Sequence, residues 1–190
     1  KKSGNFVIKP LTAKGRILKK TQNTLCQIAV AGCASKKQVL NTSNTHMPVY
    51  TKLNNTVKSV LQQGDAIEKE NAQIFLGNMR KQYESYQPKE EVMESLSLFL
   101  GNNVTSLKVE VWGGNWCPDT HEGVPALSKV LDVMGVEPAN FTYHRVNRDK
   151  NKIDGKNIKS AFGAVPTVRF ELNGKLLGEV VEFPTKSWEE

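Results

Sequence analysis

Asn173-Gly174 lies between two apolar-rich runs, residues 167–172 and 176–183, and this arrangement limits the fold more than any other stretch of the chain. A two-residue turn joining antiparallel strands needs positive φ at both central positions, which asparagine and glycine tolerate best. The residues upstream fit an alternating order. Residues 107–112 read as a strand closed by Gly113-Gly114, and a helix is predicted over residues 118–134, burying Val124, Leu127, Val130, Leu131 and Met134. Residues 141–146 read as a second strand and residues 152–162 as a short helix. The order strand–helix–strand–helix–strand–strand predicts an α/β domain. Its parallel strand pair is extended by an antiparallel hairpin into a central mixed sheet with flanking helices.

Residues 52–101 carry helical rather than strand periodicity. One helix is predicted to start at Pro88, with Glu90 and Glu91 near the positive end of its dipole and Gly101 as its terminator. Its apolar stripe is Val92, Met93, Leu96, Phe99 and Leu100. An earlier helix is predicted over residues 66–83. The chain thus divides into a tail over residues 1–50, a helical lead-in over 51–106, and the α/β domain over 107–190.

The net charge of +7 belongs to the tail. Residues 1–60 hold 11 Lys or Arg and no acid, while the other 130 residues hold 15 basic residues against 19 acidic ones. This basic tail is rich in Lys, Thr, Asn and Ser and is expected to be disordered. With a single arginine, Arg16, and no interleaved aromatics, it does not predict specific nucleic-acid binding. Within it, segment 17–33 ends in Val30-Ala31-Gly32-Cys33, which resembles a bacterial lipoprotein processing site, with Cys33 as the lipidated residue. The apolar core of that segment is short and contains Gln27. A cytoplasmic location is therefore favoured over an envelope lipoprotein processed at Cys33, and a membrane enters as a partner only in the second case. An organelle transit peptide fits less well, because Arg16 stands alone. No apolar run approaches the ~18 residues of a membrane-spanning helix.

The three cysteines, Cys26, Cys33 and Cys117, include no pair separated by two residues, which excludes a disulfide framework and a structural zinc site as readings. Cys117 stands where a strand hands over to a helix, with Pro118 at the first helical position. Unpaired amides and the helix dipole there favour a thiolate. The simpler reading is a buried space-filling thiol.

Trp116-Cys117-Pro118, with Pro125 eight residues after the cysteine, resembles thioredoxin, as does Val165-Pro166-Thr167 leading into the Asn-Gly hairpin. Arg145-Val146-Asn147-Arg148-Asp149 falls where thioredoxins carry their second strand and following loop. The lead-in Tyr83-Glu84-Ser85-Tyr86-Gln87-Pro88 and the ending Glu182-Phe183-Pro184-Thr185-Lys186-Ser187 are similar to a bacterial subgroup with a Trp-Cys-x-Asp-Ser/Thr site. The resemblance implies a thioredoxin-like fold with Cys117 as nucleophile and Trp116 as an apolar wall. It also implies a cis Pro166 beside the sulfur, and a groove at Val165, Pro166 and Thr167 where a peptide pairs as an added strand.

Two departures bear on activity. The second cysteine of a dithiol site falls at Thr120, so a mixed disulfide at Cys117 lacks the usual internal attack that would release it. The buried acid that thioredoxins place six residues before the nucleophile is here Val111. His121, four residues after Cys117, is a candidate for proton transfer, or else an exposed histidine without a role. Asp119 suits a helix start, yet its charge opposes a nearby thiolate. The resemblance thus implies a monothiol site for thiol–disulfide exchange or thiol redox sensing within cell redox homeostasis. Its partners would be protein or peptide thiols and disulfides, with glutathione or another small thiol for release and no cofactor. The alternative is a redox-inactive peptide- or protein-binding module on the same fold. At the carboxy terminus, Pro184-Thr185-Lys186-Ser187 opens like a further helix, which residues 188–190 are too few to complete.

Overall fold

The computed structural model describes residues 47–190. The basic tail up to residue 46, with Cys26, Cys33 and the lipoprotein reading, lies outside them. The described residues form an α/β fold with a mixed four-stranded sheet in the order β2-β1-β5-β6.

Three helices precede the sheet: α1 (Pro48–Gln63), α2 (Ala66–Ser85) and α3 (Glu90–Leu100). Helix α1 begins inside the stretch assigned to the tail. Its apolar residues Val49, Leu53, Val57 and Val60 recur at helical spacing and are buried. Its first amides are satisfied from a distance, since the Asp132 carboxylate accepts from Val49 N at 2.8 Å and from Tyr50 N at 3.2 Å. Helix α2 starts with a capping box, in which the Asp65 side chain accepts from Glu68 N while the Glu68 carboxylate accepts from Asp65 N. In α3 the predicted stripe is only partly used: Met93 and Leu100 are buried, whereas Phe99 faces solvent.

Strand β1 (Leu107–Gly113) follows, then α4 (Pro118–Met134), β2 (Phe141–Arg145) and two short strands, β3 (Lys152–Ile153) and β4 (Lys156–Asn157). The chain continues through β5 (Thr167–Leu172) and β6 (Lys175–Val181). β1 and β2 are parallel, while β5 runs antiparallel to both β1 and β6, as the sequence order predicts. Asn173 and Gly174 take φ of 53° and 76°, the turn geometry the dipeptide signals. Helix α4 occupies the predicted span and ends at Gly135 in the left-handed region.

The expected helix over residues 152–162 is not formed. β3 and β4 pair there as a small hairpin around Asp154 and Gly155, whose φ values are 50° and 78°. Asp-Gly imposes the same turn chemistry as Asn-Gly, and positive φ at both positions is incompatible with a helix through them. The ending, residues 184–190, forms turns rather than a helix. Glu189 is buried and accepts hydrogen bonds from Tyr86 Oη at 2.6 Å and Lys89 N at 3.1 Å.

Packing on the sheet is one-sided. Leu107, Val109 and Val111 of β1, Phe141 and Tyr143 of β2 and Val168 of β5 share one core with buried residues of α1, α2 and α4. The register sends the alternate residues to the other face, where they pair across strands. Lys108 meets Glu171 at 3.8 Å and Arg169 meets Glu179 at 3.0 Å. The flanking helices α1, α2 and α4 therefore gather on one layer, and the opposite face carries these ion pairs and Trp112 stacked with His144 and Phe162.

Candidate functional site

The site is built where β1 stops. Gly113, the last residue of β1, and Gly114 have no room for a side chain, because neighbouring side chains crowd in on both. A Cβ on Gly113 would lie 2.6 Å from the Tyr143 ring and 2.9 Å from Thr120 Cγ2, and one on Gly114 would lie 2.7 Å from the Trp116 ring. The chain then turns, with Cys117 N donating to Gly114 O at 2.8 Å, and enters α4 with Cys117 at the cap and Pro118 first in the helix. Pro118 is exposed and needs no amide partner at that position.

Cys117 is 6% exposed. It packs with Val146 and Val165 in a small apolar cluster that also touches Trp112, Trp116, Ile153 and Phe162. Its Sγ donates to Val165 O at 3.4 Å, which brings together two positions 48 residues apart. The Val165–Pro166 bond is cis. Beyond it, Pro166 O accepts from Glu182 N at 2.7 Å and Thr167 Oγ1 donates to Ala164 O at 2.7 Å, which fixes the segment entering β5.

Trp116 is half-buried beside the sulfur, its Nε1 donating to Val146 O at 3.0 Å, and the Arg148 guanidinium lies 5.1 Å from its ring centre. Thr120 is fully buried, and its hydroxyl accepts from Gly114 N at 3.2 Å. This threonine fills the position below the site loop without presenting a sulfur. Asp119, on the first turn of α4, is half-buried.

His121 is not an exposed residue. Its ring stacks on Phe75 of α2 at 4.6 Å, and its Nε2 lies 2.6 Å from Asn115 O. Burial lowers its pKa, against a smaller upward pull from that carbonyl, so it is largely neutral at neutral pH. The ring is thereby committed to the loop beneath the cysteine.

Two residues escaped the sequence reading. Tyr143 Oη donates to Asn115 Oδ1 at 2.9 Å, both buried, which pins the loop before Cys117 to β2. Burial, and next the nearby Cys117 sulfur, raise the Tyr143 phenol above its ordinary pKa. Asn115-Trp116 directly before the cysteine was visible in the sequence, but a partner 28 residues away was not. Among the described residues no group of His, Cys, Asp or Glu is arranged to hold a metal, and no helix is long and apolar enough to cross a membrane.

No protein-family model matches the chain, and the comparisons with curated proteins and with solved structures found no match.

Proposed function

We propose that this chain is a thioredoxin-like protein with a monothiol site, which engages protein or peptide thiols and disulfides by thiol–disulfide exchange through Cys117. The observation that carries the reading is the meeting of Cys117 Sγ with Val165 O. It unites the Trp-Cys-Pro helix start and the Val-Pro-Thr segment, two motifs far apart in sequence, at one groove. In the exchange, the Cys117 thiol gives its proton to water and the thiolate attacks one sulfur of a partner disulfide. A Cys117–partner bond forms, the old sulfur–sulfur bond breaks, and the departing sulfur leaves as a thiolate that takes up a proton from water. With a hydroxyl at Thr120, release falls to an external thiol of the glutathione class, which attacks the mixed disulfide and restores Cys117.

A second reading is favoured by one observation. Cys117 is buried with its S–H already engaged, as befits a binding module that keeps the groove without turnover. The discriminating experiment is alkylation of Cys117 in a background with Cys26→Ser and Cys33→Ser, comparing folded and denatured protein. Exchange chemistry predicts labelling of the folded protein within minutes. Labelling only after unfolding favours the binding module.

A further inference from the structure

The described residues carry 17 Lys or Arg against 19 Asp or Glu, yet the charge is unevenly placed. Between residues 145 and 159 stand Arg145, Arg148, Lys150, Lys152, Lys156 and Lys159, with only Asp149 and Asp154 to oppose them. Arg145 has Glu68 at 3.9 Å, but none of the other five takes part in a salt bridge among the described residues. Asp154 is exposed but accepts from Arg145 N and contacts His144, and it forms no salt bridge with the lysines of the strand pair it joins. Lys152, Lys156 and Lys159 are exposed.

This basic hairpin borders the candidate site. Val146 and Ile153 are bridged across its base and pack in the same cluster as Cys117 and Val165, while Arg148 lies over Trp116. The other acids near Cys117 and Val165 in sequence, Asp119, Glu122 and Glu171, belong to α4 and β5, which leaves the 145–159 side basic. We propose that this hairpin is a docking surface for an acidic polypeptide segment, one whose Asp and Glu residues flank the cysteine or disulfide offered to Cys117. The proposal rests on the exchange reading above. A polypeptide is favoured over nucleic acid because the hairpin borders the Cys117 groove, whose partner in the exchange reading is a polypeptide thiol or disulfide.

The test uses protein with Cys26→Ser and Cys33→Ser and two cysteine peptides, each carried as a mixed disulfide with thionitrobenzoate. One has four acidic residues around the cysteine and the other has four serines. Cys117 attacks the peptide sulfur, and thionitrobenzoate leaves and is read by its colour. The acidic peptide is expected to react about tenfold faster at low salt, an advantage lost near 1 M salt where charges are screened. A variant with Lys152→Glu, Lys156→Glu and Lys159→Glu should abolish the preference while reacting normally with the serine peptide. Equal rates for both peptides, or no effect of the charge reversal, overturn the docking surface and leave the exchange reading intact. If neither peptide exchanges, the exchange reading fails. Docking is then decided by Trp fluorescence titration of Cys117→Ser with serine-for-cysteine peptides, where selective binding of the acidic one supports it and equal binding overturns it. Tighter binding of a single-stranded oligonucleotide of matched charge overturns the assignment to polypeptide.

Discussion

The Cys117 thiol donates to the carbonyl of Val165, and this bond ties the start of α4 to the segment entering β5. A partner sulfur that reaches Cys117 has to displace that donor, so the groove opens only as far as this bond yields. The loop that positions the cysteine is held from below by Tyr143, Asn115 and Thr120, and its stability sets how closely the two sides are kept together.

Gly113→Ala tests that packing. The added methyl would press on the buried Tyr143 ring and on Thr120, and overpacking of this kind costs about 1–3 kcal/mol. Gly77→Ala in α2 is the matched control, because nothing lies within 4 Å of the new carbon and alanine favours helix by about 1 kcal/mol. Urea denaturation should show the first variant less stable and the second unchanged or more stable.

Asp132→Ala should loosen α1 from α4. The carboxylate accepts from Val49 N and Tyr50 N, and losing a cap of this type costs about 1–2 kcal/mol. Hydrogen exchange should rise first at the amides of residues 49–53, ahead of those in β1. Uniform loss of protection over the fold would contradict a local role.

Glu189 gives the fold a pH dependence. Burial pushes its pKa up, but hydrogen bonds from Tyr86 Oη, the Lys89 amide and its own amide outweigh burial, and the net shift is downward. A carboxylate with a lowered folded pKa contributes stability that is fully present above its unfolded pKa, about 4.3, and is lost as pH falls through the lower folded value. The Tm of the wild type should therefore fall more steeply below about pH 4.5 than that of Glu189→Gln. At pH 7, Glu189→Ala should cost about 1–3 kcal/mol by stranding its donors.

The pattern of what could be read from sequence follows the range of the forces involved. The β5–β6 hairpin and α4 were legible because local chemistry fixes them: positive φ at Asn173 and Gly174, Pro118 at the helix start and Gly135 at its end. The β3–β4 hairpin carries an equally local signal in Asp154-Gly155, whose turn chemistry contradicts the helix expected over residues 152–162. Helix α1 was legible only as part of a helical region. Its start depends on Asp132, 83 residues from Val49, and on burial against other elements rather than on intrinsic propensity. At the site, Cys117 and Val165 were paired through family resemblance. The inward turn of His121 toward Phe75 and Asn115 depended on contacts that no spacing rule supplies.

Thr120→Cys should restore internal release. Thr120 lies one helical turn into α4, where a thiol can attack a mixed disulfide at Cys117 without waiting for an encounter. Insulin reduction with catalytic dithiol reductant should rise about tenfold or more over wild type, since intramolecular attack replaces a bimolecular step. Wild-type activity equal to that of the variant would show that Thr120 is not the limiting position.

The most direct measurement is intact-mass analysis of protein with Cys26→Ser and Cys33→Ser after incubation with a peptide disulfide, followed by an acid quench. Peptide mapping then locates any adduct. The account predicts a one-to-one mixed disulfide at Cys117 that persists until a small thiol is added, and that does not accumulate in Thr120→Cys. Folded protein that forms no adduct at Cys117, while denatured protein does, would contradict it.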